Sequence, residues 1–346
     1  MAKMNQLIVA YGGMSSDYSA PGDRRRFSGY ALRNNIQLDP TTSQDADAVV
    51  LTLGADVSQW RIFKEKHGVL ILDIVDSYLD ESLFSPKRIL RGLYKSFNGQ
   101  FVAKRLSYTK LLREILTNAD AVVCASIEQR EKLLKLNPNV HAIVDCFDEL
   151  SESDHYSGPN QNTSSIMWEG FPDNLKHLGI MKISNQNLKF EIVSLRKIRK
   201  IAHFNRETDT EHYLKSFLVN YELTPWTLTN LKSTARRSMV GAIPIDIRSP
   251  IAWNKSENKL LGMWSLGLPV LVSPTPSYTR VMHEANLSEC LVKNPDWNQR
   301  LSDFVNQPES ASRIAKIGYD FAKAISNSSV VDKQWKNVFQ SVGLDE

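Results

Sequence analysis

Two lysines four positions apart, Lys255 and Lys259, stand at the opening of an apolar helical pattern, with Ser256, Glu257 and Asn258 between them. A helix N-terminus exposes unpaired backbone N–H groups and the positive end of the peptide dipole, so lysines there suit a phosphate or diphosphate. The same lysines would serve equally as the solvated face of an ordinary helix. Around them the elements can be read in turn. Met239 to Ile245 is a short apolar run ending at Asp246, the mark of a buried parallel strand. Asn254 with Glu257 three residues on predicts a capping box, and Leu260, Leu261, Met263, Trp264 and Leu266 form one apolar stripe. Gly267 and Pro269 end the helix, and Pro269 to Ser273 reads as the next buried strand of a right-handed crossover.

Other residues could do chemistry elsewhere. Leu7 to Tyr11 is a strand closed by Gly12 and Gly13, where a missing side chain lets backbone approach a ligand. Arg24, Arg25 and Arg26 precede Phe27, a set that could hold a phosphate or a sugar-phosphate acceptor, or could be a solvated basic loop. The apolar run from Val69 ends at Asp76, where open α/β sheets carry active-site groups; Asp73 reads as interior. Asp45-Ala46-Asp47 precedes a strand and reads as a turn, and no metal-binding constellation is present.

The wording from 255 to 270, KSENKLLGMWSLGLPV, resembles the donor-site helix of GT-B glycosyltransferases, especially the large retaining family numbered four. The strand Ala119 to Ser126, the helix after it and the Asn137-Pro138-Asn139 turn are also similar to the end of that family's first domain. The resemblance implies an α/β GT-B fold of two Rossmann-like domains with parallel sheets facing a cleft. It implies transfer of a hexose, with retention, from a UDP- or GDP-linked donor, without a cofactor or metal, to a glycan or lipid-linked acceptor in cell-surface polysaccharide assembly. Gly170, Lys176 and Trp226 would join Lys255, Ser256, Glu257, Asn258 and Lys259 on the donor. Gly12, Gly13 and Arg24 to Arg26 would face the acceptor, with Asp76 catalytic. The family's two glutamates, eight positions apart, fall here on Asn254 and Gly262. Their loss motivates a second reading, a catalytically silent subunit that binds glycan or a partner transferase.

At 346 residues, with 42 % hydrophobic and 23 % charged residues, the chain is expected to be a soluble two-domain protein. The division expected is 1–150, a polar linker over 151–165, a nucleotide-sugar domain over 166–310 and terminal helices over 311–346 crossing back to the first domain. A net charge of +4 does not argue for nucleic acid. Three cysteines without metal or redox spacing read as buried free thiols of a reducing cytoplasm. No run is long enough to span a bilayer, and no signal peptide is read at the start. Residues 84–113 carry eight basic and no acidic side chains among Leu, Tyr and Phe, which suits peripheral contact with the inner face of the plasma membrane or an ordinary basic helix face.

Overall fold

The computed structural model describes residues 6–75, 101–102, 107–151, 158–199 and 207–344. They form two compact units. One comprises Met1–Cys146, Asn254–Ser256 and Ser326–Glu346; the other comprises Phe147–Trp253 and Glu257–Ile325. The change of unit therefore falls at Cys146, ahead of the polar stretch expected to mark it, and of the two terminal helices only the last belongs with the first unit.

In the first unit, six strands form one parallel sheet: β1 (Ile8–Gly12), β2 (Gln37–Asp39), β3 (Ala48–Thr52), β4 (Leu70–Ile74), β5 (Ala121–Cys124) and β6 (Val140–Ala142). Their spatial order is β2, β1, β3, β4, β5, β6. Every residue of β3 and β4 is buried, as a sheet covered on both faces requires. Alternation along the strands divides the core in two. Val49, Leu51, Leu70 and Leu72 pack with Trp60, Phe63, Leu112 and Ile115 of the helices Trp60–His67 and Tyr108–Asn118. Val50 and Ile71 pack on the other face with Phe27, Tyr30, Trp335 and Phe339, so the helix Ser328–Ser341 from the end of the chain completes that layer.

Most of the basic stretch 84–113 lies outside the described residues. Its described end is helical from Tyr108, with Tyr108, Leu111 and Leu112 buried in the core and Lys110 and Arg113 exposed. Among the described residues no helix is long and apolar enough to cross a membrane.

The second unit holds a parallel sheet of β7 (Ser165–Glu169), β8 (Lys189–Ser194), β11 (Tyr221–Pro225), β12 (Val240–Ile243) and β13 (Val270–Val272), in the order β11, β8, β7, β12, β13. After β8, a short antiparallel pair, β9 (Lys197–Arg199) with β10 (Glu207–Asp209), forms a separate two-stranded sheet. The crossover from β12 to β13 has the parallel register Gly241 to Val270 and Ile243 to Val272. Between them, the helix Asn258–Ser265 starts four residues later than the expected capping box. Its N-cap is Glu257, which makes no side-chain cap, so the Asn254 to Glu257 box does not form. After β7, Phe171 caps a 3-10 segment, Pro172–Met181.

Candidate donor site at the edge of the second sheet

In a doubly wound sheet, ligands gather at the carboxyl ends of the strands where the strand order reverses. In the second unit that point lies between β7 and β12. Strand β7 ends at Glu169, and Gly170 follows with φ +151°, a backbone conformation that favours glycine. Gly170 is tied at both ends: its N–H donates to Val193 O at 3.1 Å and its carbonyl accepts from Ser194 Oγ at 2.7 Å. Its N–H is therefore spent within the sheet. What the glycine supplies is room, because a Cβ there would come within 2.6 Å of Lys259 Nζ.

Lys259 fills that room from the first turn of the helix Asn258–Ser265. Its Nζ donates to the Glu169 carbonyl oxygen at 2.5 Å, lies 4.9 Å from the centre of the Trp168 ring and 4.0 Å from the Glu169 carboxylate. Burial pushes the ammonium below the usual lysine range, and the negative charge of Glu169 works the other way. A partly desolvated ammonium beside a glycine at a strand end can attract a small anion such as a phosphate.

The other expected donor residues differ in their surroundings. Glu257 is buried, and its Oε1 accepts from Arg280 Nη2 at 2.6 Å. An acid at the N-cap offsets the positive dipole end on which the sequence reading relied. Lys255 and Ser256 group with the first unit, while Asn258 and Lys259 belong to the second. Lys176 is exposed on the 3-10 segment, and Trp226 is half-buried just past β11, its N–H donating to Ser194 O at 3.0 Å. Gly262, standing where a family glutamate would, is packed so that a Cβ would lie 3.2 Å from the Phe147 ring and 3.5 Å from Leu150. A side chain at that position would need the Phe147 ring to give way by a few tenths of an ångström.

In the first unit, the arginine loop divides. Arg26 is fully buried; its Nη2 meets Asp73 at 2.7 Å, and its Nη1 donates to Ile143 O at 2.7 Å and reaches Asp145 at 3.3 Å. An arginine so placed is interior structure, which corrects its assignment to an acceptor. Burial raises the Asp145 carboxyl above the usual range even beside Arg26 and Arg25. Arg24 and Arg25 are half-buried, Arg24 donating to Ser19 O at 2.6 Å. Gly12 and Gly13 pack on the protein itself: a Cβ on Gly12 would meet Ala55 at 2.6 Å, and one on Gly13 would meet Tyr18 at 2.8 Å. Beside them, Asp23 accepts from Tyr11 Oη, Met14 N and Ser15 N at 2.7 to 2.9 Å, fastening the loop after β1. Asp76 lies outside the described residues. Among those residues no cluster of three or more His, Cys, Asp or Glu could hold a metal.

Sequence reasoning missed Glu169 and Arg280. The first had a signal, an acid closing the apolar run SIMWE immediately before a glycine; the second had none, because its partner is 23 positions away.

No protein-family model matches the sequence, and no curated protein matches it. Solved structures do. Anabaena Alr3699/HepE in complex with UDP-glucose aligns over 97 % of this chain and 100 % of its own, at 12 % identity and a TM-score of 0.60. The T4 phage glucosyltransferase BGT with UDP-glucose aligns over 98 % and 100 %, at 10 % identity and 0.58. S. aureus TarM, as a point mutant in complex with fondaparinux, α-GlcNAc-glycerol and UDP, aligns over 85 % of this chain at 12 % identity and 0.57. The chain has the GT-B fold. It spans 56 % of the length of the TarM structure. At these identities the likeness is one of fold.

Proposed function

We propose that the chain is a nucleotide-sugar-dependent glycosyltransferase whose second unit holds the donor. The observation that carries this is the Lys259 ammonium held over Gly170 at the reversal point of the second sheet. A diphosphate drawn to that ammonium would carry the charge that develops as the sugar departs, and a fixed, partly desolvated cation stabilises such charge well. The matched structures of HepE, BGT and TarM hold UDP-glucose or UDP, which supports a uridine donor. Transfer of a hexose with retention rests on the resemblance at 255–270, as do a glycan or lipid-linked acceptor in cell-surface polysaccharide assembly and a place at the inner membrane face. Acceptor contact is proposed for the loop after β1 and for Asp76.

The test is a thermal-shift panel of UDP, GDP, ADP, CMP and TDP, followed by hydrolysis and transfer assays with the sugar of the nucleotide that binds. A ligand at about 100 times its dissociation constant stabilises by about 2.7 kcal/mol. Lys259→Ala is expected to remove the shift; an equal shift in the variant takes Lys259 out of the site. One observation favours a second reading, a silent subunit that binds glycan or a partner transferase: the acid positions of the family are Asn254 and a Gly262 packed against Phe147. Nucleotide binding without turnover of any nucleotide sugar would select it.

A further inference from the structure

At the carboxyl edge of the second sheet the acids near the proposed donor seat differ in how they are engaged. Glu257 is held by Arg280 at 2.6 Å, and Glu284 by the same arginine at 3.3 Å. Asp246 is held by Arg248 at 2.8 Å. Glu169 is different. Its side chain is 22 % exposed, its carboxylate makes no hydrogen bond among the described residues, and its nearest cation, Lys259 Nζ, is 4.0 Å away. The hydrogen bond from Lys259 goes to the Glu169 main chain instead, at 2.5 Å. The carboxylate thus keeps its lone pairs available beside a cation whose own bond does not depend on it.

An ammonium and an open carboxylate side by side match a ligand that is anionic at one point and hydroxylated at the next. We infer that Glu169 is a specificity-determining residue of the donor site, accepting a hydrogen bond from a hydroxyl of the transferred sugar while Lys259 takes the phosphate. The inference rests on the nucleotide-sugar reading and adds to it the group that selects the sugar. It also offers a replacement for the acid missing from 254 and 262: with Gly262 packed against Phe147, an acid can approach the seat from the end of β7.

The charge of Glu169 has opposite effects on the two halves of such a ligand. It opposes a bare phosphate at Lys259 and supports a hydroxyl, so its removal separates nucleotide from nucleotide sugar. Isothermal titration of the wild type and Glu169→Gln is made with UDP, UDP-glucose and UDP-N-acetylglucosamine, and repeated with GDP and GDP-mannose. In E169Q the diphosphate alone is expected to bind as tightly as in the wild type or a few-fold tighter, and the best-bound sugar nucleotide about tenfold more weakly, the loss of one hydrogen bond to a charged group. The main-chain perch of Lys259 survives the substitution, so an unchanged melting temperature confirms the fold. Equal changes for nucleotide and nucleotide sugar overturn the inference and leave Glu169 acting through Lys259 alone. No change in either also overturns it. A wild type that binds none of the five ligands removes the nucleotide-sugar reading itself.

Discussion

Arg26 and Asp73 meet inside the first unit as a two-pronged ion pair, Nη2 to Oδ1 at 2.7 Å and Nε to Oδ2 at 2.9 Å, with at most 1 % of either side chain exposed. A buried pair survives desolvation only when its remaining donors are satisfied, and here Ile143 O and Asp145 take the third nitrogen. Arg26→Ala leaves the Asp73 carboxylate in the interior without its cation. The expected loss is about 3 to 5 kcal/mol in urea unfolding. A loss below about 1 kcal/mol, the range of exposed pairs, would place Arg26 back on an accessible loop.

Gly170→Ala is expected to damage stability and binding together. The backbone at φ +151° disfavours a side chain, and the new Cβ would meet Lys259 Nζ at 2.6 Å and the Trp168 ring at 3.2 Å. The lysine end can swing away, but the indole is 1 % exposed and cannot. A stability loss of about 1 to 3 kcal/mol is expected from the backbone alone. The UDP-induced thermal shift should fall with it. A variant with a wild-type melting temperature and a wild-type shift would show that the close approach is not needed.

Lys259 gives a pH signature. Burial holds its pKa in the folded chain below that of the unfolded chain, so below the folded value the ammonium costs stability in full. The cost fades as pH rises from the folded value towards the unfolded one, about 10.4. Lys259→Met removes the ammonium. The variant should therefore melt above the wild type at about pH 7, and the gap should narrow as pH is raised towards about 10. A gap that widens with pH reverses the sign and means that contacts to Glu169 and Trp168 outweigh desolvation.

The parts of the fold that could be read from sequence are those fixed by local pattern. The largely apolar strands β3, β4 and β12, the Asn137 and Asn139 turn and the stop at Gly267 and Pro269 need only neighbours in the chain; Asn137 Nδ2, for instance, closes the turn on Leu116 O and Ala119 O. Strand β2, three polar or half-buried residues at the sheet edge, has no such pattern and was not read. The site follows the same division. Lys259 and Gly170 were found through their positions in a crossover and at a strand end. The fate of Glu257 depends on Arg280, and that of Arg26 on Asp73 and Asp145, partners that arrive only when distant segments pack. A charged residue in a loop reads the same whether it ends in water or in an interior pair.

Trp335 tests whether the end of the chain belongs to the first unit's core. It is fully buried in the helix Ser328–Ser341, with its ring 5.1 Å from Phe27 and 6.1 Å from Tyr30, centre to centre. Its indole N–H is buried with no acceptor among the described residues, so the ring contributes by packing and not by a hydrogen bond. Trp335→Ala opens a cavity against the sheet and should cost about 3 to 5 kcal/mol. Trp335→Phe keeps most of the aromatic contact and gives up no hydrogen bond, so its loss should stay below about 1.5 kcal/mol. Chemical denaturation of the two variants separates the cases. A phenylalanine variant as unstable as the alanine one would mean that the indole N–H has an acceptor and anchors the helix through it.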